Sequence, residues 1–128
     1  MDNNLVRFFH EEIEGWKQQI EGIYDEADLL EKKLEAVVRQ NTISGIAAAT
    51  EAHQSLLDRQ TNTLEALIEE INRQDILLTT LIQPAENKGL PKPLRNKQDQ
   101  LRKKMRQTEK DYLEVKFSCH DFVSNMLK

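Results

Sequence analysis

Helix breakers are scarce in this chain. Four glycines and three prolines occur in 128 residues, and all three prolines fall between positions 84 and 93. Proline removes a backbone donor and clashes with the preceding turn, so its absence elsewhere leaves long stretches free to be helical. Cys119 is the only cysteine. That excludes an intrachain disulfide and a cysteine-rich zinc site, and a lone thiol suits a reducing compartment. No apolar run approaches the ~20 residues needed to cross a bilayer. The opening Met1, Asp2, Asn3 and Asn4 offer neither the basic start nor the apolar block of a secretory signal. The expectation is a cytoplasmic chain without a leader or a transmembrane segment.

Signatures of chemistry are also missing. The sequence holds no Gly-rich phosphate loop, no GxSxG and no HExxH. Di-iron bundles need inward Glu-x-x-His pairs, and none of His10, His53 and His120 has a glutamate three positions before it. His10 and Glu14 stand four apart but outside the apolar seam described below. His53 lies on an apolar column, where it reads as a neutral, hydrogen-bonded wall residue rather than a pH switch. Cys119-His120 suggests a nucleophile, yet Cys119 also sits in an apolar column and reads as a small hydrophobe. The expectation is a non-enzymatic protein with no catalytic residues, no cofactor and no metal site.

What is present is a set of heptads. Val6, Phe9, Ile13, Trp16, Ile20, Ile23, Ala27, Leu30, Leu34 and Val37 recur at alternating threes and fours. A helix with this pattern keeps one narrow face on partner helices, here over roughly 48 Å. Gly15 and Gly22 lie beside the seam, seven apart, either tolerated on the surface or allowing close approach of another backbone. Asn41 is suited to a left-handed helix end. Thr42 to Gly45 supply a connection short enough to send the next helix back antiparallel.

Leu57, Leu64, Ile71 and Leu78 form one column of a second helix. Its other column reads Ile46, His53, Gln60, Leu67, Gln74 and Leu81, where buried polar groups would fix register. The stretch from Pro84 to Pro93 ends that helix. A third carries Leu94, Gln98, Leu101, Met105, Thr108, Tyr112, Val115, Cys119, Phe122 and Met126. The fold class expected is all-α: one domain spanning 1–128, an elongated antiparallel up-down-up three-helix bundle with coiled-coil-like packing. Helices are expected near 3–40, 44–83 and 93–127, with a loop at 84–92.

Charge is unevenly distributed. Residues 1–41, 42–84 and 85–128 carry −5, −4 and +5. The basic excess gathers in the first half of the third helix, where Arg95, Lys97, Arg102, Lys103, Lys104, Arg106 and Lys110 form an electrostatic patch. Pairing with Glu11, Glu14, Glu21 and Asp25 of the parallel first helix accounts for it without a ligand. An acidic protein partner, a nucleic acid or an anionic membrane would also fit a basic run. The run lacks aromatic residues on which bases could stack, so nucleic acid is the less expected partner.

Nine apolar residues lie off the main columns: Val38, Leu56, Ile68, Ile76, Leu77, Ile82, Leu113, Phe117 and Val123. Of these Leu77, Ile82, Leu113, Phe117 and Val123 are the candidate partner surface, for another protein or for a second copy in a homodimer. The function expected is a helical scaffold or adaptor acting through helix–helix contact. The alternatives are a chaperone-like binder of a helical secretion or filament subunit, and a weak nucleic-acid or anionic-membrane binder through the third helix.

Trp16, Asp25-Glu26, Leu34, Val37-Val38 and Asn41-Thr42 together resemble a group of small, uncharacterised, all-helical bacterial proteins. The resemblance spans the first helix and first connection. It implies three long helices and a bacterial cytoplasm, and transfers no site residues.

Overall fold

A computed structural model describes the backbone of residues 2–41, 43–82 and 90–127, and the side chains of all of these except residues 2, 3, 81 and 82. Every element in it is helical: α1 (Asp2–Gln40), α2 (Ile46–Ile82) and α3 (Lys92–Met126). The 39 residues of α1 rise about 58 Å. No strand occurs among the described residues. Most of the loop expected at 84–92 lies outside the described residues, as does Thr42.

Side-chain pairs fix the direction and level of each helix. Gln54 of α2 donates to Glu31 of α1 at 3.0 Å, and Lys17 of α1 donates to Asp75 of α2 at 2.9 Å, so the two run antiparallel. Glu12 of α1 meets Arg102 of α3, and Glu26 meets Tyr112, so α1 and α3 run parallel. All three helices touch one another, with α1 and α3 sharing the thinnest contact.

Each of the ten seam residues of α1 is buried, as are Leu57, Leu64, Ile71 and Leu78 of α2. Thr50, one heptad before Leu57, is buried too and spends its hydroxyl on the Ile46 carbonyl at 2.8 Å. On α3 the seam runs from Gln98 through Cys119 and then steps by four to Val123. Phe122 is half-buried and stacks on His53, with ring centroids 4.4 Å apart. Val123, expected on the partner surface, is therefore core, only 6% exposed. An ideal helix drifts ~20° per heptad against a 3.5 repeat, and two consecutive steps of four restore the inward direction.

The connection between α1 and α2 differs from expectation at Asn41. No described residue other than glycine has a positive φ, and the left-handed position is Gly45, at φ +85°. Asn41 instead donates its side-chain amide to the Val37 carbonyl at 2.9 Å and to the Met126 carbonyl at 3.4 Å. One amide thus satisfies a carbonyl in the last turn of each of two helices. A Cβ added at Gly15 or Gly22 would meet nothing within 4 Å, so neither glycine serves a close helix approach among the described residues of the chain.

Candidate functional site

The basic half of α3 divides into two faces. Lys97 and Lys104, one heptad apart, both reach Glu70 of α2, at 2.8 and 3.0 Å. Their hydrogen bonds hold the Glu70 carboxyl below its usual range. Arg102 grips Glu12 through Nε and Nη2, at 2.6 and 2.8 Å, and reaches Asp99 at 2.7 Å. Pairing with α1 was expected to run through Glu11, Glu14, Glu21 and Asp25. The acids that receive these three cations from other helices are Glu12 and Glu70, because Arg102 flanks the core on the α1 side and Lys97 and Lys104 flank it on the α2 side. Arg95, Lys103, Arg106 and Lys110 lie exposed and make no ion pair among the described residues.

The candidate apolar residues also separate. Phe117 is 60% exposed, Leu77 50% and Leu113 38%, whereas Val123 is in the core and the side chain of Ile82 lies outside the described residues. Gln74 of α2 contacts Leu94 and Gln98, which sets Leu77 level with the start of α3. Leu113 lies fifteen residues beyond Gln98, about 22 Å along the helix. Leu77 therefore belongs to a different part of the surface from Leu113 and Phe117. Phe8 and Ile76 are exposed as well. Phe8 follows from the same geometry, since it stands ~100° around the helix from the seam residue Phe9. Leu56 and Ile68 widen the core stripe, while Val38 stays exposed.

A polar layer crosses the core near one end. Gln74 donates to the Leu94 carbonyl at 2.9 Å and to Gln98 Oε1 at 3.1 Å. Gln98 donates in turn to Glu12 Oε1 at 2.8 Å and to the Phe9 carbonyl at 3.3 Å. Gln74 Oε1 is buried without a partner in this structure. The layer ties all three helices in one register, and a slip of one residue on any of them would strand buried amide groups.

His10, Glu14 and Asp75 place ligand-type atoms within 4.8 Å of one another, across α1 and α2. Sequence spacing found the His10–Glu14 pair but had no means of supplying Asp75 from another helix. Lys17 fills the cationic role here, 2.9 Å from Asp75 and 3.7 Å from Glu14. Burial alone would raise the Asp75 carboxyl, but hydrogen bonds from Lys17 and His10 bring it below its ordinary value. Two carboxylates answered by an ammonium and an imidazole form a helix–helix staple.

His53 and Cys119 take structural positions. His53 Nδ1 donates to the Ala49 carbonyl at 2.9 Å, which fixes its tautomer. Burial, with Glu31 nearby, pushes the Cys119 thiol up to about 11, leaving almost no thiolate at neutral pH.

Neither a scan against protein-family models, nor a search of curated proteins, nor a search of solved structures finds a match to this chain. No described helix is long and apolar enough to cross a membrane.

Proposed function

We propose that the chain is a non-catalytic helical scaffold or adaptor that works by laying a helix face against a protein partner. One observation carries this reading. The three helices bury a largely apolar seam of their own, yet large side chains such as Leu113 and Phe117 remain in water on the same face as Lys103, Arg106 and Lys110, which make no ion pair among the described residues. Apolar groups rimmed by charge are the usual composition of a docking face. The heptad spacing supports coiled-coil-like packing, a rigid geometry from which such a face can be presented. The nucleic-acid reading is weakened because Lys97, Arg102 and Lys104 are already engaged by Glu70 and Glu12.

A photoreactive residue placed at Phe117 or Leu113 in the source cell tests this. The reading predicts discrete cross-linked species from these positions, to another protein or to a second copy. Absence of any cross-linked species from both positions would contradict it.

A further inference from the structure

The side of the bundle away from α3 carries the opposite charge. α1 and α2 leave an open groove of about 260 Å³ there, floored by Ala27 and Leu57 and rimmed by Asp28, Glu31, Asp58 and Glu65. Lys32, 3.3 Å from Asp28, is the one cation paired with a rim carboxylate among the described residues. The like charges feel one another: burial, then Asp58 and Glu35, hold the Glu31 carboxyl above its usual range. A cation laid in this groove would relieve that repulsion.

On α3 the outward stripe reads Lys103, Arg106, Lys110, Leu113, Phe117, at spacings of three, four, three and four, so all five share one face. Their side chains are exposed. Within one molecule this ridge cannot reach the groove, because α3 packs against α1 and α2 from the far side. A second copy can reach it.

The axial levels also agree. Tyr112 and Lys116 both bond Glu26 at 3.0 Å, which sets Phe117 level with the turn from Ala27 to Glu31. A neighbour placed side by side and parallel, without sliding, therefore carries its Phe117 over the groove floor. Its Lys110 then lies about 10 Å earlier along the axis, at the end of the groove lined by Tyr24 and Glu65.

We propose that the bundle self-associates heterologously, the Lys110, Leu113 and Phe117 part of one copy's ridge lying in the Asp28–Glu65 groove of the next, with the two molecules parallel and in register. This rests on the interaction-module reading and names the partner as the chain itself. Ridge and groove are different surfaces, so a pair keeps one of each free and the contact propagates instead of closing as a two-fold dimer.

Sedimentation equilibrium of the full chain and two variants tests this at low (~50 mM) and high (~0.5 M) salt. The ridge variant is Lys110→Glu and the groove variant is Glu65→Lys. Both positions are exposed, and circular dichroism verifies that both variants keep the helices. The expected result is a wild-type mass that rises past two copies with concentration at low salt and returns to one copy at high salt. Each variant alone has its association constant lowered at least ~10-fold, and an equimolar mixture regains wild-type association, since reversed ridge meets reversed groove. A wild type that stays one copy at low salt, a variant that associates like the wild type, or a mixture that fails to recover each overturns the proposal. A one-copy wild type that still cross-links from Phe117 to a different protein in the cell removes the self-pairing and leaves the interaction-module reading intact.

Discussion

Gln98 of α3 donates to Glu12 of α1 at 2.8 Å, and the same carboxylate receives Arg102 Nη2 at 2.8 Å. A single acid thereby anchors a buried amide and a half-buried guanidinium, one turn apart on the facing helix. Through Gln98 the link passes on to Gln74, so the three helices are held in register by hydrogen bonds across a mostly apolar seam.

The two glutamines should behave as a coupled pair. Gln98→Leu or Gln74→Leu alone leaves a buried amide group short of a partner and is expected to cost about 1–3 kcal/mol in urea unfolding. The double replacement leaves neither, and its stability should return to within about 1 kcal/mol of wild type. A double-mutant cycle measures the coupling, and strictly additive losses would show that the pair does not act as a unit.

Arg102 and Lys103 are neighbours with opposite roles. Arg102→Met removes a two-point grip on Glu12, in which the carboxylate is only 17% exposed, and should cost about 1–2 kcal/mol. Lys103→Met should stay within about 0.5 kcal/mol, since the lysine is exposed and unpaired among the described residues. Equal losses at the two positions would mean that the ion pair contributes nothing.

The apolar seam was readable because heptad spacing and burial rest on the same helical geometry. All ten positions assigned on α1 are core, and on α3 the assignment holds from Gln98 to Cys119. It slips at Phe122 and Val123, where extrapolating a strict 3.5 repeat ignores drift in a real helix. Thr50 escaped notice because a hydroxyl can hide by bonding the carbonyl one turn back, which no hydropathy pattern reveals. Ionic partners were the least legible part. Spacing places Lys97 and Lys104 on one stripe, but whether that stripe meets α1 or α2 depends on how the bundle closes. For the same reason Asp75 could not be assigned to His10 and Lys17, nor the acidic groove recognised, before the helices were placed together.

The acidic groove has a measurable cost. Glu31 has a folded-state carboxyl above its ordinary value, so its ionisation destabilises the fold at neutral pH, and the penalty fades as pH falls through that raised value. Glu31→Gln keeps an acceptor for Gln54 and removes the charge. It should stabilise by a few tenths of a kcal/mol at pH 7 and low salt. The gain should shrink towards pH 4 and in high salt. A loss of stability at pH 7 would show that the carboxylate, and not merely its oxygen, is needed.

Gly15 and Gly22 carry no packing duty, so alanine at either should raise stability by about 0.5–1 kcal/mol through lower chain entropy and better helix propensity. Thermal unfolding of the single and double variants checks this. A decrease would mean that something does approach these glycines in solution.

The relative placement of the three helices underlies every surface described above, and zero-length carbodiimide cross-linking tests it most directly. That reagent joins an amine to a carboxylate only when they touch. Dilute protein, mixed from isotopically light and heavy chains, should yield Lys17–Asp75, Lys97–Glu70, Lys104–Glu70 and Lys116–Glu26 links, each within one chain. Finding those links only between light and heavy chains, or Lys116 joined to Glu11 or Glu12 instead of Glu26, would contradict the bundle and its register.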